Sequence, residues 1–435
     1  MKNTKKNQTS GYYQSPWSCE DGGAERTQVV TGLPGLNIQP NEKLVVKASR
    51  RLSTGNMVVL RDPGEVYLMT VDTYRSKLGL PCFSHVEKLD PQTLKPIKKS
   101  VKLKGGKWWP GGFCVHRNGD LYVTFGRYMH RLNPDCELQA SYQLPVNLPY
   151  NSHVVLDNGL LVTKPITSEE QSYLTVMDPD TMQPVCADEL MPEPSISRLS
   201  ASGNCVYVTG ITTIYRYHFE ADKNELVLDK DWSLNYVGGS TQQYGWDPVV
   251  AGEQLWFMDN GKHRMGETSL SMLNAGVNPT PNNVIRVSQH NSDDYDITPV
   301  CGLSHGSVTN PPLFCSKRNI LLAYDSANAF LKAWQFDPQS RSLIEIWRRE
   351  GFGIGGHTIY YADSGEVVTA DYQSLKSIKG LREGEHSVVL DIETGREKAR
   401  VPMNNYWQSA CFPAPGWGRD FYWLGLDKLT YIAVE

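Results

Sequence analysis

Three polar residues stand just before short apolar runs: Asp247 in "WDPVV", Asn310 in "NPPLFC" and His357 in "GGHTIYY". Carboxylate, amide and imidazole around one point could hold a hard or borderline divalent cation, calcium or a similar ion, or orient a polar substrate. An imidazole can also carry a proton as general acid or base. Asn151, Arg198 and Gln408 occupy comparable positions before other apolar runs, and His305 flanks the same run as Asn310. Asp259, Asp325 and Asp371 close apolar runs instead, where a carboxylate either lines a site or caps a turn by accepting backbone N–H groups.

What positions these residues is a recurring phrase. "NMVVLRDPGEVYLMTVD", "GFCVHRNGDLYVTF", "NSHVVLDNGLLVT", "SRLSASGNCVYVTG", "WDPVVAGEQLWFMD", "NPPLFCSKRNILLAYD", "GGHTIYYADSGEVVTAD" and "SACFPAPGWGRDFYWLGLD" each read as apolar strand, polar turn and alternating strand. Most are followed by a second phrase, as in "KLDPQTLKPIKKSVKL" or "VMDPDTMQPVCADEL", in which Asp-Pro opens a turn between two more strands. Four strands repeated about every 45 residues predict an all-β chain folded as a β-propeller. Eight hairpins predict eight blades; seven would make the irregular stretch from Gly239 to Gly302 an insertion.

The last repeat lacks an outer strand, and "EKLVVKAS" (Glu42 to Ser49) can supply it, closing the ring and removing its open edges. Residues 41–435 then form one propeller domain. Residues 1–40, polar and Gly-rich, are expected as a flexible arm or a strap across one face.

The hairpin and the "LDPxT" phrase together resemble β-propellers of the quinoprotein and YVTN-like kind, over about residues 40–435. Eight-bladed quinoprotein dehydrogenases are exported and carry a vicinal Cys pair. This chain has neither an apolar leader nor Cys-Cys, so PQQ is a poor fit.

In a propeller, residues preceding the innermost strands and residues ending the second strands share one channel mouth. The site expected there is catalytic through His357 and His305, with substrate contacts from Asp371, Asp325, Asp259, Arg198 and Gln408. Asp247, Asn310 and Asn151 are its metal-ligand candidates. That describes a small-molecule enzyme, a metal-assisted hydrolase or lyase. The alternatives are a non-catalytic propeller that docks a protein partner and one that binds a metabolite or carbohydrate.

A formal net charge of -4 gives no footprint for nucleic acid, and no apolar run is long enough for a membrane span. Nine scattered cysteines suit reduced, mostly inert thiols and a cytoplasmic location. Ring closure implies that loss of residues 1–50 unfolds the domain, while loss of 1–30 costs little.

Overall fold

The computed structural model describes residues 10–238, 243–264, 272–373, 384–405, 408, 412–425 and 427–435. They form eight antiparallel sheets, seven of four strands and one of five, each a meander from an innermost to an outermost strand. The innermost strands are Gly55–Leu60, Gly112–Val115, Tyr150–Val155, Ser200–Ser202, Val249–Ala251, Leu313–Cys315, Ile359–Tyr361 and Ala414–Pro415. They begin blades one to eight in chain order. The stretch from Gly239 to Gly302 holds an ordinary blade five, Val249–Ala251 with Gln254–Met258, Asn283–Ser288 and Tyr295–Pro299. Eight blades, not seven, is the count.

Two short-range rules explain why the repeats fold as they do. Val, Ile, Leu, Tyr and Trp on the two inner strands of each blade are buried on both faces, because each blade packs between two others. The second phrase is a side-chain-capped turn between third and fourth strands: Asp90, Asp178 and Asp391 each accept the backbone N–H of a Thr three residues on, at 2.8, 2.7 and 2.9 Å. A repeated Asn fastens successive blades. The Nδ2 of Asn56 donates to Pro110 O, that of Asn151 to Ile196 O at 3.1 Å, and that of Asn310 to Gly355 O at 2.9 Å.

The ring closes as the missing outer strand implies. Leu44–Arg51 pairs antiparallel with Lys428–Val434, from Leu44 opposite Val434 to Arg51 opposite Lys428, and completes blade eight.

The segment before that strand is packed, in contrast to the flexible arm. From residue 10 it runs as a strap over the ends of the innermost strands remote from the mouth. Its backbone bonds to blades one, two, four, five and seven: Leu60 N to Trp17 O, Val115 N to Ser18 O, Ala201 N to Ala24 O, Val250 N to Glu25 O, and Val30 N to Tyr360 O. Gly11 sits so close to blade three that a β-carbon there would lie 2.2 Å from Leu156 O. Trp17, Val30, Leu36 and Ile38 join the apolar core shared by blades one, seven and eight. Residues 10–30 cover apolar strand ends that the ring alone leaves open, so their loss is expected to cost stability rather than little.

Trp17 is 1% exposed, so Trp17→Ala is expected to lower the free energy of unfolding by about 3–5 kcal/mol. Urea titration followed by circular dichroism measures it. A loss below about 1 kcal/mol would show the strap to be peripheral.

Candidate functional site

The strap reaches the channel with a tight 3₁₀ turn, Glu20–Gly22, whose Asp21 adopts a left-handed backbone (φ 58°). The turn delivers Glu20 and Asp21 to the axis, and Arg26 follows from the next bend. All three side chains are essentially excluded from solvent. Every nitrogen of the Arg26 guanidinium donates: Nε to Leu199 O at 2.6 Å, Nη1 to Asp21 Oδ2 at 3.0 Å, and Nη2 to Glu20 Oε1 at 2.6 Å and Ser152 Oγ at 2.9 Å. Burial alone would lower the Arg26 pKa, but the carboxylates of Glu20, Asp247 and Asp21 outweigh it and raise it.

The blades supply the other half from the residues that precede or begin their innermost strands. Ser152 of blade three, at a bulge and with φ 75°, hydrogen-bonds Glu20 Oε1. A left-handed serine inside a strand is strained, as is common where a side chain must be aimed. Arg198, before blade four, donates its backbone N–H to Asp247 Oδ1 at 2.6 Å and places Nη1 3.4 Å from Oδ2. Its guanidinium lies 4.7 Å from the Phe412 ring centroid, with Nε 3.5 Å from Glu20 Oε2. His357, before blade seven, bonds Asp21 Oδ1 through Nδ1 at 2.6 Å and packs on Phe412 with centroids 4.0 Å apart.

Because Nδ1 faces a carboxylate it carries the hydrogen, which leaves Nε2 as the acceptor nitrogen. That Nε2 is buried and has no hydrogen-bond partner; the same holds for Glu20 Oε2 and Arg198 Nε. Burial would raise the Asp21 pKa, but His357, Arg26 and Arg198 together bring it below the ordinary carboxylate value. Asp21 is thus held as an anion beside the imidazole.

Lys164 adds a buried amine in blade three, with Nζ 3.1 Å from Ser195 O. Burial lowers its pKa to about 7, with Asp247 opposing and Arg198 reinforcing the shift.

The structure brings together three of the residues expected at the mouth, His357, Arg198 and Asp247. Asn310 and Asn151 are turned to neighbouring blades; Asn310 also donates to Thr309 Oγ1, and Asn151 Oδ1 accepts from Trp109 Nε1 at 2.8 Å. The proposed ligand trio is therefore split, and no group of three or more His, Cys, Asp or Glu side chains able to hold a metal occurs among the described residues. Gln408 is buried and spent on Met272 N at 2.6 Å and Gly353 O at 3.1 Å.

The strand-ending carboxylates act locally, the turn-capping alternative. Asp259 accepts from Asn283 N and Nδ2 at 2.6 and 2.9 Å, and burial pushes its pKa up to about 7. Asp325 accepts from Ser307 N at 3.2 Å and Asn328 Nδ2 at 2.7 Å. Asp371 accepts from Gly353 N at 2.9 Å and faces Arg400 Nη2 at 3.2 Å. His305 is exposed, with φ 58°, and lies outside the buried set.

Glu20, Asp21, Arg26, Lys164 and Phe412 escaped the sequence reading. The one signal for the first three was Glu20, Asp21 and Arg26 within nine residues of Trp17, in a segment otherwise polar.

No protein-family model matches the chain, and no curated protein matches its sequence. Solved structures do match in shape. The quinohemoprotein alcohol dehydrogenase of Comamonas testosteroni aligns over 97% of this chain and 81% of its own, at 11% identity and a TM-score of 0.63. The quinohemoprotein alcohol dehydrogenase ADHIIG of Pseudomonas putida HK5 aligns over 97% and 80%, at 10% identity and 0.62. BamB of Moraxella catarrhalis aligns over 90% and 99%, at 9% identity and 0.53. In architecture the chain resembles propellers of the quinoprotein kind. At these identities the likeness is one of fold, which enzymes and non-catalytic propellers share. No helix among the described residues is long and apolar enough to cross a membrane.

The buried amine gives a test of this electrostatic picture. With a folded pKa near 7 and an ordinary lysine value of about 10.4 in the unfolded chain, the unfolded state binds the extra proton between those limits. Stability should therefore rise with pH from about 7 to 10 and be independent of this group below 7. Lys164→Met is expected to remove that slope in unfolding free energies measured across the range; an unchanged slope would place the amine in water.

Proposed function

We propose that the chain is a small-molecule enzyme, of the hydrolase or lyase type, that moves a proton with the Asp21–His357 pair and takes a substrate bearing an anionic group. The supporting observation is the buried imidazole whose Nδ1 is bound to Asp21 at 2.6 Å while Nε2 has no partner. A buried polar atom left unpaired in a native fold calls for a bound water or ligand, or for a catalytic use. In this reading Nε2 takes a proton from water or from an acidified carbon. Asp21 keeps the productive tautomer and stabilises the imidazolium that forms, the logic of a base oriented by a carboxylate. Arg198, stacked on Phe412 and with its Nε making no hydrogen bond, supplies charge for the anionic group of the substrate and for negative charge that develops in the transition state.

A second reading, docking of a protein partner, draws on Tyr74, Leu78 and Leu80. These are 66%, 74% and 45% exposed on the mouth-side loop of blade one. Clustered exposed apolar side chains mark interaction surfaces more often than chance.

The two separate by measurement. A turnover screen of carboxylate-bearing esters, lactones and hydroxy acids should find a substrate whose conversion falls about 10²–10⁴-fold in His357→Gln. Asp21→Asn should lose turnover at near-native substrate affinity. Full activity in His357→Gln would sink the proposal. So would an inactive wild type that captures a defined partner through Leu78, lost in Leu78→Asp.

A further inference from the structure

Cys19 lies on the strap and Cys114 on the innermost strand of blade two, and the two face one another as the partners of an antiparallel bridge. The adjoining hydrogen bond runs from Val115 N to Ser18 O at 2.7 Å, from the residue after one cysteine to the residue before the other. That pattern makes Cys19 and Cys114 a non-hydrogen-bonded pair, the closer of the two antiparallel kinds, with α-carbons nominally about 4.5 Å apart. Disulfides span α-carbon separations of roughly 4.4–6.8 Å. Facing residues of a bridge also project to one side of the sheet, and both thiols join the same apolar cluster with Tyr12, Tyr122 and Met129. The eight cysteines of the described residues are free thiols.

We infer that Cys19 and Cys114 are a redox latch: a disulfide between them fastens the strap to blade two. The bond forms by exchange with a low-molecular-weight disulfide such as oxidised glutathione. One protein thiolate attacks a glutathione sulfur, the glutathione S–S bond breaks, and one glutathione thiol leaves. The second protein thiolate then attacks the mixed disulfide and releases the other. Two protein thiols lose two protons and two electrons, and glutathione disulfide gains them as two thiols.

Burial holds both thiols protonated in the closed structure, with pKa values raised first by desolvation. Exchange therefore proceeds while the strap is lifted, and the bond records its return. The latch has a consequence because the next two residues are Glu20 and Asp21. Reduction leaves their position against Arg26 and His357 to non-covalent contacts; oxidation ties them to the ring. This inference stands on the strap geometry and holds whatever the channel binds.

The experiment uses the full-length chain equilibrated with oxidised glutathione in urea just below its unfolding midpoint, then returned to buffer, alkylated and digested with trypsin without reduction. The expected product joins residues 7–26 to 108–117 with the mass of both peptides less two hydrogens. The oxidised protein should unfold at higher urea, and dithiothreitol should reverse the shift. Cys19→Ala and Cys114→Ala should each abolish shift and product, while Cys82→Ala keeps both. Recovery of Cys19 and Cys114 as alkylated thiols, as lasting glutathione adducts, or joined to other cysteines would overturn the latch, and that reading needs no variant to fold.

Discussion

A single buried cation organises the centre of this propeller. Arg26 is 1% exposed, and its three guanidinium nitrogens donate to a carbonyl, two carboxylates and a hydroxyl drawn from the strap and from blades three and four. A charge so far from water is tolerated only when paired and fully hydrogen-bonded; removing one member of such a set typically costs about 3–5 kcal/mol, because its partners stay buried and uncompensated. The planar fork of guanidinium matters here. Lysine carries the same charge on one nitrogen and cannot reach Leu199 O, Asp21 and Glu20 together. Glu20 then holds Ser152, Asp21 holds His357, and Asp247 holds Arg198, so blades three, four, five and seven are all referred to one guanidinium.

The eight blades were legible in the sequence because each hairpin is local. In the hairpin that opens each blade the strand partners lie at most 15 residues apart, as in Gly55 with Thr70 or Tyr150 with Pro165, and the alternation of apolar and polar positions is written twice per blade. The outer strand of blade eight was legible for a different reason: a sheet edge left open by the C-terminus demanded one strand, and "KLVVKAS" is the unassigned segment with a strand pattern. The strap had no such mark. Its backbone bonds to five blades come in short separate stretches, never long enough for a period of two to show, and its polar residues resemble those of a solvated tail. They are polar because the pre-strand residues lining the channel are polar too. That complementarity exists only in three dimensions.

The candidate site was legible in part for the same reason. Repeat position identified His357, Arg198 and Asp247, since equivalent residues of a propeller must face the axis. Position could not say which side chains turn toward the axis and which toward the next blade. Asn151 and Asn310 took the second course, because an amide bridges a carbonyl across a blade junction at about 3 Å, whereas the Asp247 carboxylate finds the Arg198 backbone N–H instead. The acids after the second strands were ambiguous from the start. Asp259, Asp325 and Asp371 resolve as caps because each has backbone N–H groups in reach that nothing else would satisfy.

These distances along the chain constrain the order of assembly. The pair Asp21–His357 joins residues 336 apart, and Arg26 with Ser152 spans 126, whereas the strands within each blade meet almost at once. Contacts closed over such loops cost entropy before they return energy, and a buried ion cluster gives a net return only when complete. Until blades three, four, five and seven stand in a ring, Arg26 and its carboxylates do better in water. Docking of the strap into the channel is thus coupled to ring closure, which blade eight achieves with Leu44–Arg51, the next strand of the same segment. One stretch of chain therefore both closes the ring and carries Asp21 to His357, and a partly closed propeller cannot hold the dyad.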